Sequence, residues 1–172
     1  MKNTLELEAE IPGWYIKPTL VLGCGNVLMG DDGFGPAVIE ELEKNYCVPE
    51  EVCILNVGTS AREIIFPMVV DESRVEKVII VDAVDMADRG YKPGDVFEIS
   101  IDDIPMVKVD DFSMHQVPSS NLLKELRERR KVKVIVLACQ IKSIPELVTQ
   151  GLSDPVRGAV SRMCELVSEH WM

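Results

Sequence analysis

No stretch of this 172-residue chain approaches the ~18 uninterrupted apolar residues that a membrane-spanning helix requires. The opening segment MKNTLELEAEIPGW carries three glutamates and lacks an apolar core, so it does not read as a signal peptide, and a soluble cytoplasmic protein is expected. Clustered basic residues are missing too. Lys and Arg number 18 against 29 Asp and Glu, a formal charge of −11, which leaves a nucleic-acid surface without its phosphate contacts. Five cysteines, at 24, 47, 53, 139 and 164, include no CxxC pair. Cys24, Cys53 and Cys139 sit inside apolar strand-like runs and read as packing residues, which disfavours a zinc site or a disulfide framework. No serine occupies a nucleophile elbow and no cysteine stands beside a histidine, so nucleophilic hydrolysis lacks its parts.

What is present is globular. Apolar residues make up 47% of the chain and mean hydropathy is +0.10, enough to bury one core in one domain. Short apolar runs alternate with segments of helical period. Strands are expected at TLVLGCG (19–25), EVCILNVG (51–58), KVIIVDAV (77–84) and KVKVIVLACQI (131–141), with VFEISI (96–101) as an edge strand. Helices are expected at PAVIEELEKNY (36–46), at SAREIIF (60–66) with Ser60 and Glu63 at capping-box spacing, at PSSNLLKELRERR (118–130), and from Asp154-Pro155 onward. The last of these keeps Val156, Val160, Met163, Val167 and Trp171 on its inner face. Continuous Val/Ile/Leu strands each followed by an amphipathic helix describe a three-layer α/β/α fold. Its mostly parallel twisted sheet has about five strands, as in phosphorylase/hydrolase-like proteins. The domain covers 19–172 and residues 1–18 read as an extension outside it. Between Asp85 and Asp111, eight acids face three basic residues, which reads as a solvated surface stretch.

In such sheets ligands gather beyond the carboxyl ends of the strands. The first strand end, TLVLGCGNVLMGDDGFGP (19–36), contains G-x-G at 23–25, but the third glycine of a dinucleotide fingerprint would be residue 28, which is Leu28. No Lys-Ser or Lys-Thr follows, and Asp31 and Asp32 would repel phosphates. A nucleotide site is therefore disfavoured. Helix capping accounts for one of the two aspartates; a glycine-rich loop that presents a carboxylate outward accounts for the other. Asp82 follows the apolar run VIIV, where a charge is costly unless it is hydrogen-bonded, paired or bound to a cation. His115, the one histidine away from the C-terminal tail, falls in the loop before the third helix. One imidazole and two carboxylates at strand-end loops make a plausible ligand set for a borderline divalent ion such as zinc or nickel, with positions left open.

The residues then take a recognisable pattern. LVLGCGNVLMGDDGFGPAVIEEL resembles the opening signature of the hydrogenase maturation proteases, G-x-G-N-x-L-x-x-D-(D/E)-G-x-G. The resemblance continues in order through Gly58-Thr59, VIIVDAV with Asp82, SMHQVPSSNLL with His115, and GLSDPVRGAV, covering roughly residues 19 to 168. Within the family the chain is most similar to the archaeal type that serves the factor-420-reducing nickel–iron hydrogenase. The resemblance implies that Asp32, Asp82 and His115 bind metal and carry catalysis. It implies an endopeptidase, often classed as aspartic-type, that removes a C-terminal extension from the nickel-loaded large-subunit precursor. The metal would be nickel carried by that precursor, for which zinc or cadmium could substitute. Gly58 and Thr59 would shape the substrate cleft, with Asp31 beside them as base, orienting group or cap. Two departures stand out: Asp32 where relatives often carry Glu, and Asn56-Val57 where they often carry Asp-Gly. A nickel-sensing chaperone that docks without cutting would use the same side chains.

Overall fold

Strand β1 (Thr19–Cys24) is buried along its whole length, which requires cover on both faces and a neighbour on each edge. It lies between β2 (Val52–Gly58) and β3 (Lys77–Val84), parallel to each. Strand β5 (Lys133–Gln140) continues the parallel sheet beside β3, and β4 (Val96–Ile99) closes that edge antiparallel to β5. The order is β2-β1-β3-β5-β4. This computed structural model describes residues 12–71, 73–104 and 120–171.

Period-two alternation sorts the strand side chains into two layers. Leu20, Leu22, Val78, Ile80 and Val136 pack with α2 (Ala61–Val70) and α3 (Ser120–Arg130). Val21, Ile79, Val81, Ile135 and Leu137 pack with α1 (Phe34–Asn45) and α5 (Val160–Trp171). The expected three-layer α/β/α architecture is what forms. Each Leu, Ile or Val that is wholly removed from water contributes about 1.5–3 kcal/mol to holding the layers together.

The local departures have physical causes. Ser60 stands at the N-cap of α2, yet its hydroxyl makes no cap bond; its carbonyl accepts the N–H of Glu63 at 3.0 Å. Helix α2 continues through Pro67 to Val70, because proline's fixed φ suits a helix and the cost is confined to a missing N–H and local crowding. The fully buried Met68 on the same turn anchors it. The expected last helix divides into α4 (Asp154–Gly158) and α5, with Ala159 between them. Val156, Met163 and Val167 are buried as the periodicity predicts, while Val160 and Trp171 are partly buried against the same core. Residues 12–18 of the expected extension are tied to the domain: Trp14 packs on the core, and the Pro18 carbonyl accepts N–H bonds from Glu76 at 2.8 Å and Lys77 at 3.0 Å.

Within the acidic stretch, Asp102 meets Lys124 and Arg127 of α3. Its hydrogen bond to Arg127, then the guanidinium charge, holds its carboxyl below the usual range. Residues 105–111 of that stretch lie outside the described residues. Among the described residues no helix is long and apolar enough to cross a membrane.

Helix α1 sits unusually close to the sheet. A Cβ on Gly35 would lie 2.2 Å from the Cys24 carbonyl oxygen and 2.6 Å from that of Val81. Only a glycine lets the helix start rest directly on the backbones of β1 and β3, which brings the loop before it onto the strand ends.

Candidate active site

Register brings two of the expected residues to one rim. Gly23 of β1 pairs with Val81 of β3, so Asp82 is the next residue beyond that pair. Its side chain is 2% exposed, and its Oδ1 accepts the N–H of Ala83 at 2.8 Å. Asp32 arrives from the loop after β1, in a single 3-10 turn, Gly30–Gly33, that runs into α1. Its Oδ2 accepts the Asn26 N–H at 2.8 Å, while Asn26 Oδ1 accepts the Leu28 N–H at 3.0 Å. The loop is thus pinned by short polar side chains from within. Gly25 makes the path possible: its φ is +128°, and a Cβ there would lie 1.9 Å from the Asp32 carbonyl oxygen.

Cys24 registers both carboxylates. Burial pushes its thiol well above the ordinary range, and the negative charges of Asp82 and then Asp32 push it further. The thiol is therefore protonated at neutral pH and packs as an apolar group, as its place in the strand predicted. Two buried carboxylates within electrostatic reach of one thiol make a locus of negative potential, for which a cation is the complementary ligand. Carboxylate oxygens suit a borderline or hard divalent ion.

Asp31 points elsewhere. Its Oδ1 accepts the Ser153 N–H at 2.7 Å; its Oδ2 accepts the Lys142 N–H and the Ser153 hydroxyl, each at 2.9 Å. None of these donors belongs to α1, so Asp31 does not cap that helix. It clasps the two ends of the 142–153 loop. The two adjacent aspartates therefore divide the work: Asp31 binds the chain to itself, and Asp32 lies at the rim beside Asp82.

Gly58 and Thr59 lie at the end of β2. The β1–β2 register slips between Gly23 and Cys24, where Cys24 pairs with Gly58. The Gly58 carbonyl then accepts the Gly25 N–H at 2.9 Å, and Asn56 Oδ1 accepts the Gly58 N–H at 3.2 Å. Gly58 is thereby bonded to the loop that carries Asp32, with Thr59 exposed beside it. A cleft of about 330 Å³ opens along this side, lined by Val27, Pro36, Glu40, Glu43, Asn56 and Leu152 among others.

His115 lies outside the described residues. Among the described residues no group of three His, Cys, Asp or Glu is gathered as a metal site. Two structural roles had little signal in the sequence. Gln140, 1% exposed at the end of β5, accepts the Met86 N–H at 2.7 Å and donates to Asp85 Oδ1 at 3.0 Å, holding the loop after β3 against the rim. An amide near the end of the apolar run KVKVIVLACQI was the available cue. Ser153 and Lys142 meet Asp31 across more than a hundred residues, and no local pattern announces such a contact.

A family model for hydrogenase maturation proteases matches residues 36–170. A candidate hydrogenase maturation protease of Methanocaldococcus jannaschii is 37% identical over 153 residues, covering 88% of this chain and 94% of that protein. The coenzyme F420 hydrogenase subunit delta of Methanothermobacter thermautotrophicus is 35% identical over 157 residues, covering 89% and 94%. The structure of the hydrogenase maturating endopeptidase HybD of Escherichia coli superposes with a TM-score of 0.68 at 26% identity, covering 87% of this chain and 88% of that one.

Proposed function

The chain belongs to the hydrogenase maturation protease family, and from that premise we propose how it selects and cuts its substrate. It is a hydrolase, an endopeptidase that processes the large-subunit precursor of a hydrogenase. The precursor it serves is that of the factor-420-reducing nickel–iron hydrogenase, a reading supported by the 35% identity to the coenzyme F420 hydrogenase subunit delta. The site of action is the cytoplasm.

The observation that carries the mechanism is that two buried carboxylates reach one strand-end rim: Asp82 one residue past the Gly23–Val81 pair, and Asp32 bonded to Asn26 in the loop that follows β1. Nickel already inserted in the precursor is part of the substrate. Asp32, Asp82 and His115 are the side chains that would hold it, through oxygen and nitrogen. Recognition then reports that assembly is complete and holds the scissile peptide next to the metal, so that binding and positioning are one event. Water adds to the scissile carbonyl carbon, the C–N bond breaks, the amine leaves with a proton, and the precursor keeps the new carboxylate. Held there, the metal would supply Lewis-acid chemistry to that carbonyl or to the attacking water. Gly58 and Thr59, which follow the cleft-lining Asn56, shape the path of the C-terminal extension in this reading. Asp31, with its oxygens committed to Lys142 and Ser153, keeps the neighbouring loop in place.

Purified protein incubated with nickel-loaded and nickel-free precursor, followed by the mass of the large subunit, tests this. Cleavage is expected with nickel-loaded precursor only. Asp32→Ala, Asp82→Ala and His115→Ala should each abolish it while the fold survives; normal processing by any of the three refutes its assignment.

A further inference from the structure

We propose that two loops bridged to each other beside Asp32 form an apolar docking platform for an extended segment of the precursor. That segment carries apolar side chains for the platform and a basic one for the acidic wall beside it. The inference rests on the reading above and names the surface by which that same substrate is held.

Single exposed apolar residues are ordinary on a protein surface; a group of them is not. Of the eight large apolar side chains strongly exposed among the described residues, five stand on these two loops: Val27 and Leu28 on one, Ile144, Leu147 and Val148 on the other. Leu147 is 79% exposed and Val148 70%. The loops are joined by a parallel bridge at Met29 and Thr149. The Leu28 carbonyl accepts the Thr149 N–H at 2.9 Å, and the Thr149 carbonyl accepts the Gly30 N–H at 2.7 Å. Asp31 then holds Lys142 and Ser153, the two ends of the second loop. The exposed side chains are thus presented by a hydrogen-bonded scaffold that is held from the residue next to Asp32.

The platform is continuous with the cleft. Val27 belongs to both, and Gly151 and Leu152 carry the second loop onto the cleft wall. Asn56, in that lining, leads to Gly58 and Thr59. The cleft lining also includes Glu40 and Glu43 of α1. Glu40 pairs with Lys44, whereas Glu43 has no cation within ion-pair distance among the described residues. A chain passing from platform to cleft therefore meets apolar side chains first and an available carboxylate second. Charge complementarity at such a site favours a Lys or Arg on the incoming segment.

The test compares wild type with Leu147→Ser/Val148→Ser and with Glu43→Gln. Precursor binding is measured by calorimetry, cleavage by large-subunit mass over a range of nickel-loaded precursor concentrations. The double variant should raise KM and Kd by roughly tenfold or more, from the apolar area it no longer buries, with kcat within twofold. Glu43→Gln should raise KM severalfold, and less at high salt. Unchanged KM and Kd in the double variant overturn the platform; a fall in kcat at constant KM overturns it as well. Unchanged KM in Glu43→Gln overturns the basic side chain alone. If wild type self-associates and the double variant is monomeric with unchanged KM, the occupant is a second copy of the chain and the proposal fails. Absence of cleavage by wild type counts against the proteolytic reading, and Kd then decides the platform by itself. Leu147→Ser alone replaces the double variant should the latter unfold.

Discussion

Replacing Asp31 by Asn removes one charge and converts one acceptor oxygen into a donor without changing the side chain's size. Asp31 is 3% exposed and receives three donors: the Ser153 N–H at 2.7 Å on Oδ1, and the Lys142 N–H and Ser153 hydroxyl at 2.9 Å on Oδ2. An Asn side chain can keep its oxygen toward Lys142 and the hydroxyl, but its amino group then faces the Ser153 N–H. One charge-assisted bond is lost, two donors oppose each other, and the bonds that remain are to a neutral acceptor. Hydrogen bonds to charged groups contribute about 1.5–3 kcal/mol each, and an unsatisfied buried donor costs about 1–3 kcal/mol. Asp31→Asn should therefore destabilise the fold by about 2–4 kcal/mol, a large share of the ~5–15 kcal/mol typical of a domain. Urea unfolding followed by far-UV circular dichroism reads this from the midpoint at constant slope. Hydrogen exchange should quicken at the Lys142 and Ser153 amides and at Gly30 and Thr149, which bridge the two loops, before it quickens in β1 or β3. A midpoint shift worth less than about 0.5 kcal/mol, with Lys142 and Ser153 as protected as in wild type, would show that the clasp does not hold this loop.

Gly25→Ala should lower stability by more than about 2 kcal/mol and stop precursor processing, because a Cβ would lie 1.9 Å from the Asp32 carbonyl oxygen at a φ of +128°. Soluble, active Gly25→Ala protein would contradict the loop path. Burial pushes the Cys139 and Cys164 thiols up to about 12 and that of Cys24 well above its ordinary value. These thiols stay protonated in the native state while the unfolded chain ionises near pH 9. Their stabilisation is complete below about pH 9 and is lost as pH rises toward the folded value, at about 1.4 kcal/mol per pH unit for each thiol. Urea midpoints at pH 8 and pH 10 should fall accordingly, and Cys164→Ala should show a shallower fall; equal slopes would refute it.

Most of the architecture was legible because it rests on local pattern. TLVLGCG, EVCILNVG, KVIIVDAV and KVKVIVLACQI are mostly apolar runs of strand length, and the observed strands fall within them or extend to their ends. The helical stripe with Met163 and Val167 inward was equally readable. Where periodicity was a weaker guide, the structure chose: α2 passes through Pro67 with Met68 buried beyond it, and the last helix breaks at Ala159. Asp32 and Asp82 were visible as carboxylates after apolar strands in a parallel sheet. The division of labour between Asp31 and Asp32 was not, since two adjacent aspartates in a glycine loop offer no local sign of which one turns inward.

The amino-acid order alone determined which segments become strands and helices, that β1, β3 and β5 are largely buried, and which strand ends carry carboxylates. Those properties follow from periodicity, side-chain volume and the backbone demands of glycine, all set within a few residues. Tertiary structure decided that Asp31 faces Lys142 and Ser153, that Asp32 and Asp82 share the surroundings of one thiol, and that two distant loops bring five exposed apolar side chains together. These are contacts between residues far apart along the chain, and they exist only once helix α1 has settled onto the sheet through Gly35.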